Sequence, residues 1–89
     1  MQPVGSVAAF VARYGAGAAA DPVAAEILDT LDAEARVVID AQAHPVAERR
    51  AWLRARSGTE WGEAQLAHVE QRAFVQLRRA LQRRGLWLV

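Results

Sequence analysis

The chain has 89 residues, a length that suits one domain and excludes two independent hydrophobic cores. Hydrophobic residues make up 53% of it and cysteine is absent, which excludes disorder along the whole chain, a disulfide scaffold and thiol catalysis. Its formal net charge is +1, so it is neither a strongly basic nor a strongly acidic chain overall.

That small net charge conceals an asymmetry between the two halves. Residues 1–40 carry a net charge of −4, and residues 41–89 carry +5. Such asymmetry indicates contact with nucleic acid or with an acidic protein. All eleven basic residues are arginine, whose planar guanidinium suits phosphate, guanine and carboxylate, although a GC-rich genome would favour arginine and alanine codons as well.

Alanine supplies 20 of the 89 residues and predicts an all-α protein. Pro3 is suited to the first turn of a helix that runs to about Tyr14. Four apolar side chains at spacings of three and four form one face of it: Val7, Phe10, Val11 and Tyr14. A Gly/Ala-rich stretch follows, so we predict an N-terminal helix and linker over residues 1–20.

The next helix begins at Asp21-Pro22, an N-cap acid followed by proline at the first helical position. Its buried stripe is predicted to contain Val23, Ile27, Leu31, Ala35 and Val38. Asp32 is able to cap a new helix, so a break near residues 31–33 is expected. Pro45 ends the segment, because it disfavours helix at His44.

A third helix is predicted over residues 46–56 and a fourth from about Glu60 to Arg84. Two caps compete in the turn between them, Ser57 and Thr59. Gly85 suits the position after the last helix, which closes a helical domain at residues 21–85. The stripe of the fourth helix comprises Leu66, Val69, Ala73, Leu77 and Ala80, with Phe74 and Leu81 beside it.

Residues 86–89 form an apolar C-terminal tail. Two interpretations stay open for it: the tail folds back on the core, or it forms a contact between copies of the chain. The three tryptophans, Trp52, Trp61 and Trp87, are predicted to anchor the core or an interface. The fold expected overall is a small bundle of four to five helices.

The last two helices and their short turn have the outline of a helix-turn-helix unit. Residues 27–39 read Ile-Leu-Asp-Thr-Leu-Asp-Ala-Glu-Ala-Arg-Val-Val-Ile, and residues 69–81 read Val-Glu-Gln-Arg-Ala-Phe-Val-Gln-Leu-Arg-Arg-Ala-Leu. The first segment resembles the opening helix of region 4 in sigma-70-type factors, and the second resembles the closing segment of that region. With the residues between them, the two segments cover about residues 23–82.

The resemblance implies a tetrahelical region whose recognition helix enters the DNA major groove at a promoter and which also docks on RNA polymerase. No region 2 accompanies it, so we expect a stand-alone regulator or an accessory subunit. Two positions depart from the family pattern, because Glu63 and Ala67 stand where arginine-type readers are usual. The turn is also about two residues longer than in the family.

A double-stranded DNA ligand is therefore the first hypothesis. Five arginines would contact phosphates and two further residues would read bases: Arg49, Arg50, Arg54, Arg72 and Arg79, then Gln65 and His68. These side chains belong to a polar stripe on the fourth helix and to the exposed side of the third. A solvated face with no ligand is the other interpretation of the same stripe.

A protein-interaction module is the second hypothesis, motivated by the missing readers and by the acidic first half. It would touch RNA polymerase or another regulator through Asp29, Asp32, Glu34 and Trp87. A third possibility is a helical homodimer built on the apolar tail.

Other classes are not expected. His44 and His68 have no metal-ligand spacing, and His68 has no partner for acid–base catalysis, so we predict neither an enzyme nor a bound cofactor or metal. No run approaches the roughly 18 apolar residues of a membrane span. We expect a cytoplasmic protein.

Overall fold

The computed structural model describes residues 1–15 and 21–88, and this part of the chain is all-helical, as the composition predicts. It contains five α-helices: α1 (Val7–Phe10), α2 (Pro22–Asp29), α3 (Ala33–Ala41), α4 (Val46–Ser57) and α5 (Glu63–Arg83). A π-helical turn, Val11–Gly15, continues α1. The predicted Gly/Ala linker at residues 16–20 lies outside the described residues, as does Val89.

The N-terminal helix begins later than predicted. Ser6 caps α1, since its hydroxyl oxygen accepts a hydrogen bond from the Ala9 N–H at 3.0 Å. The start predicted at Pro3 is wrong, because Val4 pairs with the C-terminal tail and the backbone becomes helical only after the extended Ser6. There the Val4 N–H donates to the Leu86 carbonyl at 2.9 Å, and Val4 and Trp87 form a parallel bridge.

Both acidic caps of the first half are confirmed. Asp21 accepts hydrogen bonds from the N–H groups of Val23 and Ala24, with Pro22 at the first helical position. Asp32 accepts from the Ala35 N–H at 2.8 Å and begins α3. The apolar stripe is therefore divided between two helices at the expected break. Ile27, Leu31, Ala35 and Val38 are buried, and Val23 packs beside them.

The turn between α4 and α5 differs from the prediction. Helix α4 ends at Ser57, and Gly58 adopts a left-handed conformation with φ of 71°. Helix α5 begins at Glu63, three residues after the predicted Glu60, with Gly62 as a cap that has no side chain.

A buried tryptophan explains the later start of α5. Trp61 is buried within the turn, and its indole N–H donates to the Ser57 hydroxyl at 3.1 Å. The predicted cap at Ser57 is therefore wrong, because that hydroxyl serves Trp61 and the Thr59 N–H instead of α5. Thr59 does not cap α5 either, since it precedes the extended residues of the turn.

The end of α5 is confirmed. Gly85 has φ of 69°, its N–H donates to the Gln82 carbonyl at 3.1 Å, and the Leu86 N–H donates to the Leu81 carbonyl at 2.9 Å. These two bonds define a Schellman motif, which satisfies carbonyls that the helix leaves open. The tail then folds back, since Leu86 and Trp87 pack against the core.

The core lies around α5. Helix α3 packs along α5 in the most extensive helix contact, α4 packs against α3, and α1 and α2 pack against α5. Six side chains of α5 are buried: Leu66, Val69, Ala73, Leu77, Ala80 and Leu81. The helix-turn-helix outline stays a prediction. With 21 residues, α5 is about 31 Å long and crosses most of the molecule's 36 Å extent.

Candidate nucleic-acid interface

One side of α5 is polar along its whole length. We call it the polar face of α5, and it consists of Gln65, His68, Arg72, Gln76, Arg79 and Arg83. Spacings of three and four residues place these side chains on the same side of a helix. Five of them belong to exposed residues and Gln76 is half-buried, while six apolar side chains of α5 are buried in the core and Val75 is exposed. The face is therefore open to a ligand.

Arg72, in the middle of this face, is paired within the chain. Its guanidinium lies 3.1 Å from the Glu34 carboxylate and 3.6 Å from the Asp32 carboxylate. Both acids stand at the beginning of α3, which the packing of α3 along α5 brings opposite Arg72. The structure therefore joins a residue predicted to bind DNA to two predicted to bind a protein.

Gln76 completes this cluster. Its side-chain amide donates to the Asp32 carboxylate at 2.7 Å and accepts from the Asp32 N–H at 3.4 Å. These contacts lower the pKa of Asp32, first through the Gln76 hydrogen bond and next through the Ala35 N–H, with a smaller contribution from Arg72. Asp32 thus caps α3 and holds it to α5 as a carboxylate.

Asp29, the third acid predicted to bind a protein, lies outside this cluster. It contacts Arg36 at 2.6 Å, and the same guanidinium lies 4.0 Å from Asp40. Burial raises the pKa of Asp40, and Arg36 opposes that effect. Sequence reasoning did not single out Arg36, whose spacing of four residues from Asp40 was the available signal.

Arg49, predicted to contact phosphate, is bound within the turn from α3 to α4. Its guanidinium donates to the His44 carbonyl at 2.9 Å and to the Gln42 carbonyl at 3.4 Å. Glu70 of α5 lies 3.9 Å away and accepts from the Gln42 amide at 2.8 Å. Only 20% of the Arg49 side chain is exposed, so this residue fastens the turn to α5.

Arg50 and Arg54 serve the next turn in a similar way. The Arg50 guanidinium donates to the Trp61 carbonyl at 2.7 Å and lies 3.9 Å from Glu63. The Arg54 guanidinium lies 3.4 Å from Glu60. The three predicted phosphate contacts of α4 are therefore each partnered inside the chain.

The remaining predicted DNA contacts are unpartnered. Gln65, His68 and Arg79 are exposed on α5, and within residues 1–15 and 21–88 their side chains make no hydrogen bond or ion pair. Gln65 and His68 share the polar face of α5 with Arg72, so the two candidate base readers and this arginine are brought together. Arg79 lies further along the same face.

Trp87 has a packing role in the chain. It is half-buried against the core, pairs with Val4 and lies beneath Arg78, whose guanidinium is 5.7 Å from the centre of the indole ring. Trp61 is buried and Trp52 packs against the core, so the prediction of core anchors holds for these three.

Comparisons with protein-family models, with curated proteins and with solved structures found no match to this chain. No helix in the described part of the chain is long and apolar enough to cross a membrane. Among the same residues, no three histidine, aspartate or glutamate side chains converge where they could hold a metal ion.

Proposed function

We propose that this chain is a small helical transcription regulator that binds double-stranded DNA at promoters through the polar face of α5. One observation carries the proposal: the large apolar side chains of α5 other than Val75 lie in or against the core, while the polar face of α5 presents Gln65, His68 and Arg79 without partners in the described chain. An exposed helix of this kind fits the major groove of DNA, which is about 12 Å wide.

The residue types on this face suit the groove chemically. Arginine side chains bind phosphates and fix the position of a protein on the duplex, while amide and imidazole side chains reach the base edges. Arg72 and Arg79 are the candidate phosphate contacts, and Gln65 and His68 are the candidate base readers. Gln65 would pair with adenine, because its amide both donates and accepts a hydrogen bond.

Fluorescence anisotropy of a labelled promoter duplex, titrated with protein at several salt concentrations, tests this proposal. We expect affinity to fall steeply with salt, because each arginine that neutralises a phosphate releases counterions and adds about 0.9 to the logarithmic salt slope. Arg72→Ala should weaken DNA binding and reduce the salt slope, because one phosphate contact is lost. If the wild-type chain does not bind the duplex at low salt, the proposal that it binds DNA is refuted.

A second candidate is a protein-interaction module that touches RNA polymerase or another regulator. One set of contacts favours it: Arg72 is paired with Asp32 and Glu34, and the arginines of α4 are bound within the turns. A protein of this kind would keep the scaffold and not read DNA.

Co-purification with polymerase subunits separates the two candidates. The interaction module predicts a stable complex that is lost on charge reversal by Asp29→Lys and Glu34→Lys, because the side chains of these acids are 72% and 44% exposed. Asp32 is left unchanged in that variant, since its side chain caps α3. Unchanged association after the charge reversal would rule out this acidic surface as the contact.

A further inference from the structure

The positive charge of the second half is not spread evenly over the molecule. Around the turn between α4 and α5, two of the three arginines have acidic partners: Arg50 lies 3.9 Å from Glu63, and Arg54 lies 3.4 Å from Glu60. The guanidinium of the third, Arg56, lies over the Trp52 ring. In a helix-turn-helix, this is the region that approaches the DNA. The two ion pairs reduce the positive charge that this region offers to phosphates.

The C-terminal end of α5 is different. Four arginines lie in its last two turns and at its cap, and of these only Arg84 has an acidic partner in the described chain, Glu26 at 3.0 Å. Arg78, Arg79 and Arg83 remain, and we call them the basic end of α5. They concentrate positive charge at one end of the molecule.

The basic end is not needed to cap the helix. Arginine near a helix C-terminus often compensates for open carbonyl groups. Here the Leu81 and Gln82 carbonyls already accept hydrogen bonds from the Leu86 and Gly85 N–H groups. The arginines of this end are therefore left available for a ligand outside the chain.

The side chains of the basic end also have a defined arrangement. Trp87 lies under the Arg78 guanidinium at 5.7 Å, which restrains that side chain before any ligand arrives. Arg79 and Arg83, four residues apart, lie about 6 Å from each other along the polar face of α5. The three guanidinium groups of the basic end are therefore able to bind phosphates along the edge of a DNA groove.

We infer that the basic end of α5 is the main phosphate-binding surface of the protein, and that the turn between α4 and α5 contributes little. This inference rests on the proposed function, since it names where duplex DNA is held. It places the anchoring contacts about 16 Å along α5 from His68, one of the candidate base readers. The protein would thus bind the DNA phosphates at the C-terminal end of α5. Gln65 and His68, nearer the N-terminal end of the helix, would face the bases.

Paired substitutions in the anisotropy assay test this inference. Arg79→Gln with Arg83→Gln should weaken binding to a promoter duplex at least about tenfold and lower the logarithmic salt slope by about 1–2, since two phosphate contacts are lost. Arg13→Gln, at an exposed residue outside both α5 and the turn, is the control for Arg79→Gln alone; it removes the same charge and should leave the slope unchanged. Thermal unfolding by circular dichroism confirms that each variant is folded.

A further variant tests whether the turn between α4 and α5 binds the DNA instead. If Arg50→Gln with Arg54→Gln lowers the salt slope as much as the change at the basic end does, the turn holds the DNA and the inference is wrong, while the proposed function stands. A loss of slope in Arg13→Gln as large as in Arg79→Gln would also overturn it, because the loss would then report net charge alone. Absence of binding by the wild-type chain at low salt would refute both the inference and the proposed function.

Discussion

Arg72 is paired with the acids of α3, and under the proposed function the phosphates of DNA compete with them. Its contacts with Asp32 and Glu34 involve side chains that are each close to half-exposed. Exposed ion pairs contribute only about 0.2–1 kcal/mol, so a strong anionic ligand is able to displace them. The acids therefore restrain Arg72 without removing it from the polar face of α5.

This competition gives a prediction for DNA affinity. Glu34→Gln should raise it about two- to fivefold, because Arg72 then has to leave one carboxylate, that of Asp32, instead of two. In an Arg72→Gln background the same substitution should have little effect. Anisotropy on the four members of this double-mutant cycle measures the coupling. An equal gain in both backgrounds would mean that Glu34 acts only through the net charge of the protein.

Asp32 makes the stability of the fold dependent on pH. Hydrogen bonds from Gln76 and Ala35 hold its pKa below the ordinary value in the folded chain. Such a carboxyl stabilises the fold above about pH 4, the range of an unfolded aspartate, and this contribution is lost as the pH falls through the folded pKa. Asp32→Asn keeps an N-cap side chain and lacks the titrating group.

We therefore expect wild type to be more stable than Asp32→Asn near pH 6, and the difference to shrink as the pH falls below about 4. Urea unfolding of both proteins across this range measures it. A difference that stayed constant down to pH 2 would show that the charge on Asp32 does not stabilise the fold.

The C-terminal end of helix α5 depends on the left-handed backbone conformation of one residue, Gly85. Gly85 has φ of 69°, and a Cβ there would meet no atom within 4 Å, so conformation and not space restricts this position. Gly85→Ala should lower the free energy of unfolding by about 1 kcal/mol, because alanine disfavours the left-handed region. Gly85→Asn should lose less, since asparagine tolerates that region. Equal losses in chemical denaturation would contradict this explanation.

Helix starts set by a local signal were predictable from sequence. Asp21-Pro22 and Asp32 each place a capping oxygen within three residues of the N–H groups it accepts from, so the information is contained in a short segment. The apolar stripe of α5 was predictable for the same reason, because its spacing of three and four residues persists over the whole helix.

Features that depend on distant residues were not predictable. Gln76 lies 44 residues from Asp32, and nothing in either local pattern indicates their hydrogen bond. The start of α5 was predicted at Glu60 because local cap signals stand there, whereas the burial of Trp61 decides it. Arg49 and Arg50 resembled phosphate contacts in sequence, and backbone carbonyls from neighbouring turns bind them in the structure.

At the scale of the whole molecule, the two ends of the chain close the core together. Val4 is buried and bonded to the tail, and Trp87 packs beside it. In the described part of the tail, Leu86 and Trp87 pack against the core, whereas the Leu88 side chain is 67% exposed. The tail therefore contributes to the stability of the single chain.

We accordingly expect Trp87→Ala to lower the free energy of unfolding by about 1–3 kcal/mol, because half-buried aromatic surface is lost. Leu88→Ala is the matched control and should change it by less than about 0.5 kcal/mol. Urea unfolding gives both values, and light scattering should report the mass of one chain for all three proteins. A wild-type dimer that Leu88→Ala dissociates would instead support the homodimer interpretation of the tail.

The proposed function and the further inference place the DNA-binding surface on α5, with its strongest contacts at the basic end. Backbone amide chemical shifts of the isotope-labelled protein, followed by NMR during titration with a promoter duplex at low salt, locate such a surface residue by residue. We expect the largest changes in residues 76–86, smaller changes around Gln65 and His68, and little change in α2. Absence of any shift, or shifts confined to α2 and α3, would contradict a DNA-binding surface on α5.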